Sequence, residues 1–205
     1  MANWEPLDML SVQVAIDESM DNYGHRDGSN LGLRKGSARN YSIDATYTFS
    51  ENWQATAWFS RNETQINQAS RNPITDQGIR EIWSSKLQDY GTSVGFDITG
   101  KLTDKIDTGA SFLYADFTNK FKQHVVLDPQ TNVVPNLSTQ YSSLRLYARY
   151  EVRKNLALRL DYILDHFKTN EWTWGRWPYT DGTRFTQDNN QLVNFAFVSA
   201  TYNWQ

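Results

Sequence analysis

The chain has 205 residues, 39% hydrophobic and 14% aromatic, a length that fits one sizeable domain better than several. Its formal net charge of -3, with Lys and Arg scattered along the chain, offers no basic stripe for nucleic acid, and the lack of cysteine removes disulfides, thiolate metal sites, a thiol nucleophile and covalent c-type haem attachment. No stretch approaches the roughly 20 apolar residues of a membrane-spanning helix, but a spanning strand needs only about 9–11 residues with alternate ones apolar, so a membrane β-barrel stays open.

The N-terminus, Met1-Ala2-Asn3-Trp4-Glu5-Pro6-Leu7, has neither a basic start nor an apolar core, so a secretory signal is expected outside this chain. Alternation of apolar and polar residues then recurs in eight segments, each predicted to be a strand. The first, near 8–18, sets Leu10, Val12, Val14 and Ile16 against Ser11, Gln13 and Asp17. The second, near 40–49, sets Tyr41, Ile43, Ala45, Tyr47 and Phe49 against Ser42, Asp44, Thr46 and Thr48. Three less regular segments follow, near 54–65, 88–99 and 106–118. The sixth, near 140–152, places Leu144, Leu146, Ala148 and Tyr150 opposite Arg145, Tyr147, Arg149 and Glu151 in parity. In the seventh, near 155–168, Leu156, Leu158, Leu160, Tyr162 and Leu164 share one face while Arg159, Asp161 and Asp165 take the other. The eighth lies near 191–204.

The connections alternate in kind. Ser50-Glu51-Asn52, the stretch from Gly100 to Lys105, and Arg153-Lys154 are short and carry turn residues. Connections of about twenty residues, around Asn22 to Arg39, Gln65 to Lys86, Lys120 to Thr139 and Asn170 to Gln191, separate them and are well above the usual loop length. All the long ones therefore fall at one end. An all-β, antiparallel up-and-down meander of about eight strands with this asymmetry is the plan of a transmembrane β-barrel, with short turns and the C-terminus periplasmic and long loops extracellular. Phe49, Trp53, Tyr150, Tyr202 and Trp204 sit at strand ends by the short turns or the terminus and are expected to form the periplasmic girdle, with Tyr41, Tyr90 and Phe117 toward the outer one. A soluble β-sandwich would also alternate, but four long loops at one end do not suit a compact one.

Several stretches carry a family resemblance: Glu5-Pro6-Leu7-Asp8-Met9-Leu10-Ser11-Val12-Gln13, Tyr41-Ser42-Ile43-Asp44-Ala45-Thr46-Tyr47, Ser142-Ser143-Leu144-Arg145-Leu146-Tyr147-Ala148-Arg149-Tyr150, and Leu156-Ala157-Leu158-Arg159-Leu160-Asp161-Tyr162 leading to His166-Phe167-Lys168-Thr169-Asn170-Glu171-Trp172-Thr173-Trp174. In order and spacing they resemble the decahaem-associated outer-membrane barrels of the MtrB/PioB type. Members of that family are much longer, so the chain resembles their C-terminal portion, either a single barrel domain over 1–205 or a barrel segment. It departs from them in ending on Trp204-Gln205 rather than on an aromatic residue.

The resemblance implies a structural wall in the bacterial outer membrane, with no catalytic, cofactor or metal site of its own, that sheathes a periplasmic multihaem c-type cytochrome in a trans-membrane electron conduit. Haem belongs only to the partner, and an extracellular multihaem cytochrome is expected to dock at the long loops. On this reading Leu144, Leu146, Leu156, Leu158 and Leu160 face lipid. Asp44, Arg145, Arg149, Glu151, Arg159, Asp161 and Asp165 face the lumen, where they pair across strands or contact the cytochrome. The alternatives are a small standalone eight-stranded barrel or a generic porin, because eight strands can close on a lumen that side chains fill.

Other motifs point elsewhere less well. Gly95-Phe96-Asp97-Ile98-Thr99-Gly100-Lys101 resembles a phosphate loop, but Leu102 replaces the hydroxyl that would bind magnesium. His25, His124 and His166 are too scattered for a metal or haem site. His166 with Ser142 or Ser143 would be the pair for a barrel enzyme, but no third residue orients it. Asp181-Gly182-Thr183 with Asp188-Asn189-Asn190, and Asp128-Pro129-Gln130-Thr131-Asn132, offer oxygen ligands for weak calcium binding that turn chemistry explains as well.

Overall fold

The computed structural model describes residues 1–23, 32–72, 80–125, 135–170 and 189–204. Its strands are β1 (Ala2–Leu7), β2 (Leu10–Asn22), β3 (Gly32–Ser50), β4 (Trp53–Asn72), β5 (Arg80–Thr103), β6 (Ile106–Val125), β7 (Leu137–Arg153), β8 (Leu156–Thr169) and β9 (Asn190–Tyr202). All nine pair antiparallel in chain order, forming one up-and-down sheet. Among the described residues β1 and β9 do not pair with each other, so the sheet is open at both edges.

Four hairpins are closed by two-residue turns, Asp8-Met9, Glu51-Asn52, Asp104-Lys105 and Lys154-Asn155. Each is preceded by a register shift in its first strand, between Trp4 and Leu7, Thr48 and Ser50, Lys101 and Thr103, and Glu151 and Arg153. Such a bulge adds local twist and lets a tight turn follow a twisted ladder. The second residue of every turn also accepts a backbone hydrogen bond from beyond its own hairpin: Met9 from Thr48, Asn52 from Lys101, Lys105 from Glu151 and Asn155 from Asn203. The turns are thereby tied to the next hairpin, and their carbonyls are satisfied.

The expected meander of about eight strands is present, with one strand more than the sequence alternation marks, because Ala2–Leu7 pairs with β2. Pro6 conceals it, since a residue without an N–H argues against a central strand, but β1 is an edge where that donor is dispensable. Three of the four long connections are shorter than predicted, and the last keeps about twenty residues. Strands continue well past the apolar alternation, β5 reaching 24 residues, and what remains between them is 23–31, 73–79, 126–136 and 170–189. Residues such as Ser37, Gln65, Gln88 and Lys120 carry the ladder onward with polar groups, so the backbone pairing persists where the hydrophobic signal has ended. The asymmetry itself stands, with tight turns at one end and all the remaining connections at the other. Among the described residues no helix is long and apolar enough to cross a membrane, which says nothing of crossing by strands.

Candidate functional surface

Residues directly opposed in an antiparallel ladder point to the same side of the sheet, so the register assigns every side chain to a face. Asp44, Trp58, Gly95, Leu113, Ser143 and Asp165 are successive partners across β3 to β8 and form one row on one face. Strand parity adds Arg145, Arg149 and Glu151, opposite Ile163, Arg159 and Ala157, and Asp161, opposite Tyr147. The structure thus brings the seven predicted charged residues to a single face. Leu144, Leu146, Leu156, Leu158 and Leu160 take the other, where Leu144 opposes Phe112 and Leu164, and Leu158 opposes Tyr150 and Ala200.

The apolar face is a belt nearest the tight turns. Its outermost fully apolar row in β2 to β6 is Val14, Ile43, Phe59, Val94 and Tyr114. On β8 it runs from Leu156 to Leu164, about 26 Å of strand at ~3.3 Å per residue. Tilted near 40°, that length rises roughly 20 Å, which with the aromatic residues flanking it approaches the apolar band of about 25 Å of a transmembrane barrel. At the turn end, Phe49 stacks on Tyr47 and on Trp53, each at 6.3 Å between centroids, and Tyr202 meets Trp204 edge-on at 4.8 Å. Tyr150, on the same face, opposes Ile106 and Leu158.

At the far end Tyr41 and Tyr90 lie on this face, but Phe117 does not. Phe117 belongs to the polar face, where its ring covers Gly91, because the apolar-face positions of β6 are the even ones, Phe112 and Tyr114 among them. Just beyond the belt two ion pairs cross its outer margin, Arg39 Nη2 with Glu18 at 2.8 Å and Arg61 Nε with Glu63 at 3.0 Å. Both guanidinium groups stay charged at any physiological pH.

The polar face is laced by hydrogen bonds. Hydroxyl pairs link Thr46 to Thr56 at 2.9 Å and Ser60 to Ser93 at 2.8 Å, and Asn119 Nδ2 donates to Asp89 at 2.7 Å. Arg149 Nη1 donates across the ladder to Asp107 at 2.9 Å, a partner that β6's irregular pattern hid. Arg159 pairs along its own strand with both carboxylate oxygens of Asp161, and its guanidinium stands 4.2 Å over the Tyr147 ring. It finds no carboxylate across the ladder because its direct neighbours are Arg149 and Ser199. Tyr141 donates its hydroxyl to Asp165 at 3.0 Å. Among the described residues the side chains of Asp44, Arg145 and Glu151 have no partner, which leaves Arg145 as an exposed, uncompensated cation in mid-sheet.

This face is not uniformly polar. Phe195 and Phe197 project from β9 beside Ile163 and Asp161, about half exposed. The signal for them was the loss of alternation in Leu192, Val193, Phe195, Phe197 and Val198, which makes β9 apolar on both sides.

The remaining motifs resolve as follows. Gly95 to Lys101 lies within β5 as extended strand, and a Cβ on Gly95 would fall 2.3 Å from Trp58 Cε2, so the glycine serves the indole packed over it. Ser142 and His166 are cross-strand partners, but the His166 Nε2 hydrogen bond goes to Asn190 at 2.7 Å, and Ser143 is on the opposite face. No group of three or more candidate metal ligands occurs among the described residues. His25, residues 128–132 and residues 181–188 lie outside them.

Comparison with known proteins adds a lineage to this geometry. The family model described as outer membrane beta-barrel porin, MtrB/PioB, matches residues 1–204. Outer membrane protein MtrB of Shewanella baltica (strain OS185) is 21% identical over 168 residues, covering 81% of this chain and 23% of that protein. Among solved structures, BauA, the ferric preacinetobactin receptor of Acinetobacter baumannii, superposes with a TM-score of 0.60 at 14% identity, over 97% of this chain and 36% of that one. The chain therefore spans under a quarter of that relative and about a third of that structure.

Proposed function

The chain belongs to the MtrB/PioB family of outer-membrane β-barrel porins, and from that premise we propose that its nine strands are an arc of the wall of a large barrel that sheathes a periplasmic multihaem c-type cytochrome. The observation that carries this is the open sheet with two chemically distinct faces. Nine strands with both edges unpaired are not a closed barrel, and bacterial single-chain barrels have even strand numbers, so more strands complete the wall. The likeness to a third of a larger barrel fits an arc of gentle curvature rather than a small eight-stranded cylinder, which has room only for its own side chains.

In this reading the leucine face meets lipid, the charged face lines the lumen, and the tight turns are periplasmic while the connections at the other end are extracellular. The wall moves no electrons. It excludes lipid from the cytochrome and holds it in register, through unpaired Arg145, Asp44 and Glu151 and through the aromatic rings of Phe195 and Phe197. An extracellular multihaem cytochrome would meet the outer connections.

The test is electron flow in proteoliposomes that hold the full-length protein with its cytochrome and an internal redox dye. Reduction of the dye by an external donor, lost when either protein is omitted, is the expected result. Dye reduction that persists without the cytochrome, or free leakage of small solutes through the assembled pair, contradicts the sheath and favours an open porin.

A further inference from the structure

Beyond the belt, the lipid side of the sheet gathers basic groups. Lys35, Asn67, Lys86 and Lys122 are successive cross-strand partners in β3 to β6, so three ammonium groups stand in one row and two of them are directly opposed. Lys120 lies two residues nearer the belt on the same face, its Nζ 5.0 Å from the centre of the Tyr90 ring. Like charges directly opposed on a ladder destabilise it. Among the described residues none of these four lysines makes an ion pair. Between the belt and this row, the carboxylates of the same face are engaged elsewhere, Glu18 by Arg39, Glu63 by Arg61 and Asp116 by the Gln140 amide.

The height of the row indicates what it meets. From Phe59 in the outermost apolar row to Asn67 is eight residues of β4, about 26 Å along the strand and roughly 20 Å along the membrane normal for strands tilted near 40°. The row is thus above the hydrocarbon, and it faces outward with the belt rather than into the lumen. Lys35 and Lys122 are exposed and Lys86 is half-buried.

We propose that this row binds the phosphate-bearing, acidic inner-core sugars of outer-leaflet lipopolysaccharide. Ammonium groups serve as point charges for phosphate, and the Asn67 amide between Lys35 and Lys86 supplies a neutral donor in the same row. Anionic groups at that height neutralise the opposed lysines that the chain itself leaves unpaired. The proposal rests on the orientation given above, with the tight turns periplasmic.

Two measurements on the full-length protein test it together. Binding of fluorescent inner-core lipopolysaccharide in detergent should weaken by about thirtyfold in Lys86→Gln/Lys122→Gln, from the loss of two surface charges. Dephosphorylated lipopolysaccharide should bind weakly to both forms, while inorganic phosphate alone should compete poorly. On intact cells a membrane-impermeant maleimide should label Lys35→Cys and not Asp104→Cys, each in a full-length background with any cysteine outside these 205 residues replaced by serine. Expected labelling with unchanged lipopolysaccharide binding overturns the site and leaves the orientation standing. The reverse labelling overturns both. Loss of an extracellular protein partner in the variant, with lipopolysaccharide binding intact, also overturns the proposal and assigns the row to that protein.

Discussion

Trp58 on β4 packs over Gly95 on β5, so closely that any Cβ at Gly95 would sit 2.3 Å from the indole. The two are direct ladder partners in the row that runs from Asp44 to Asp165, and the missing side chain of one is the space of the other. Gly95→Val should therefore destabilise the folded barrel by about 1–3 kcal/mol through overpacking. Trp58→Ala in the same background should recover part of that loss. Urea unfolding of the full-length protein in detergent, followed by heat-modifiable gel mobility, measures both. Equal stability of Gly95→Val and the parent would remove the packing explanation of this glycine.

Adjacent residues on β4 separate the two faces at one height. Ala57 opposes Ala45 and Phe96 on the apolar side, and Thr56 opposes Thr46 and Asp97 on the other. Ala57→Arg should cost about 2–4 kcal/mol near mid-belt and reduce the folded protein recovered from outer membranes. Leu158→Arg in β8 should behave in the same way. Thr56→Arg, beside Asp97, should insert nearly normally. Recovery ranked in the opposite order would reverse the assignment of lipid and lumen.

The ion pair of Arg149 with Asp107 joins side chains that are 42% and 36% exposed, so solvent screens most of its Coulomb energy. A double-mutant cycle with Arg149→Ala and Asp107→Ala should return a coupling of about 0.2–1 kcal/mol. A coupling of several kcal/mol would mean that the pair is far better shielded from water in the assembled barrel than in this sheet.

Much of the fold was legible because a strand with lipid on one side writes its parity into the sequence. Leu156 to Leu164 and Leu144 to Tyr150 needed no structure to be assigned a face. What escaped lacked that contrast. β1 is short and contains Pro6, the outer halves of β3 to β6 lose the apolar residues on the belt's side and carry Ile66, Leu87 and Phe121 on the other, and Phe117 follows that reversed parity in an irregular strand. The charged set was nameable, but its pairing was not. Asp107 meets Arg149 only through the register of β6 on β7, and Arg159 turns to its own strand because another arginine stands opposite it.

The proposed sheath puts the charged face around a multihaem cytochrome and the leucine face against lipid. Arg145 and Leu146 are neighbours in β7 that project to opposite faces, and these 205 residues contain no cysteine, so only cysteines elsewhere in the full-length protein need replacing by serine. A benzophenone maleimide placed in turn on Arg145→Cys and Leu146→Cys of the full-length protein, photolysed in membranes that contain the cytochrome, compares the two directly. The expected result is a haem-staining covalent product from position 145 and none from position 146. A haem-staining product from 146 alone, or from neither position, would contradict the sheath.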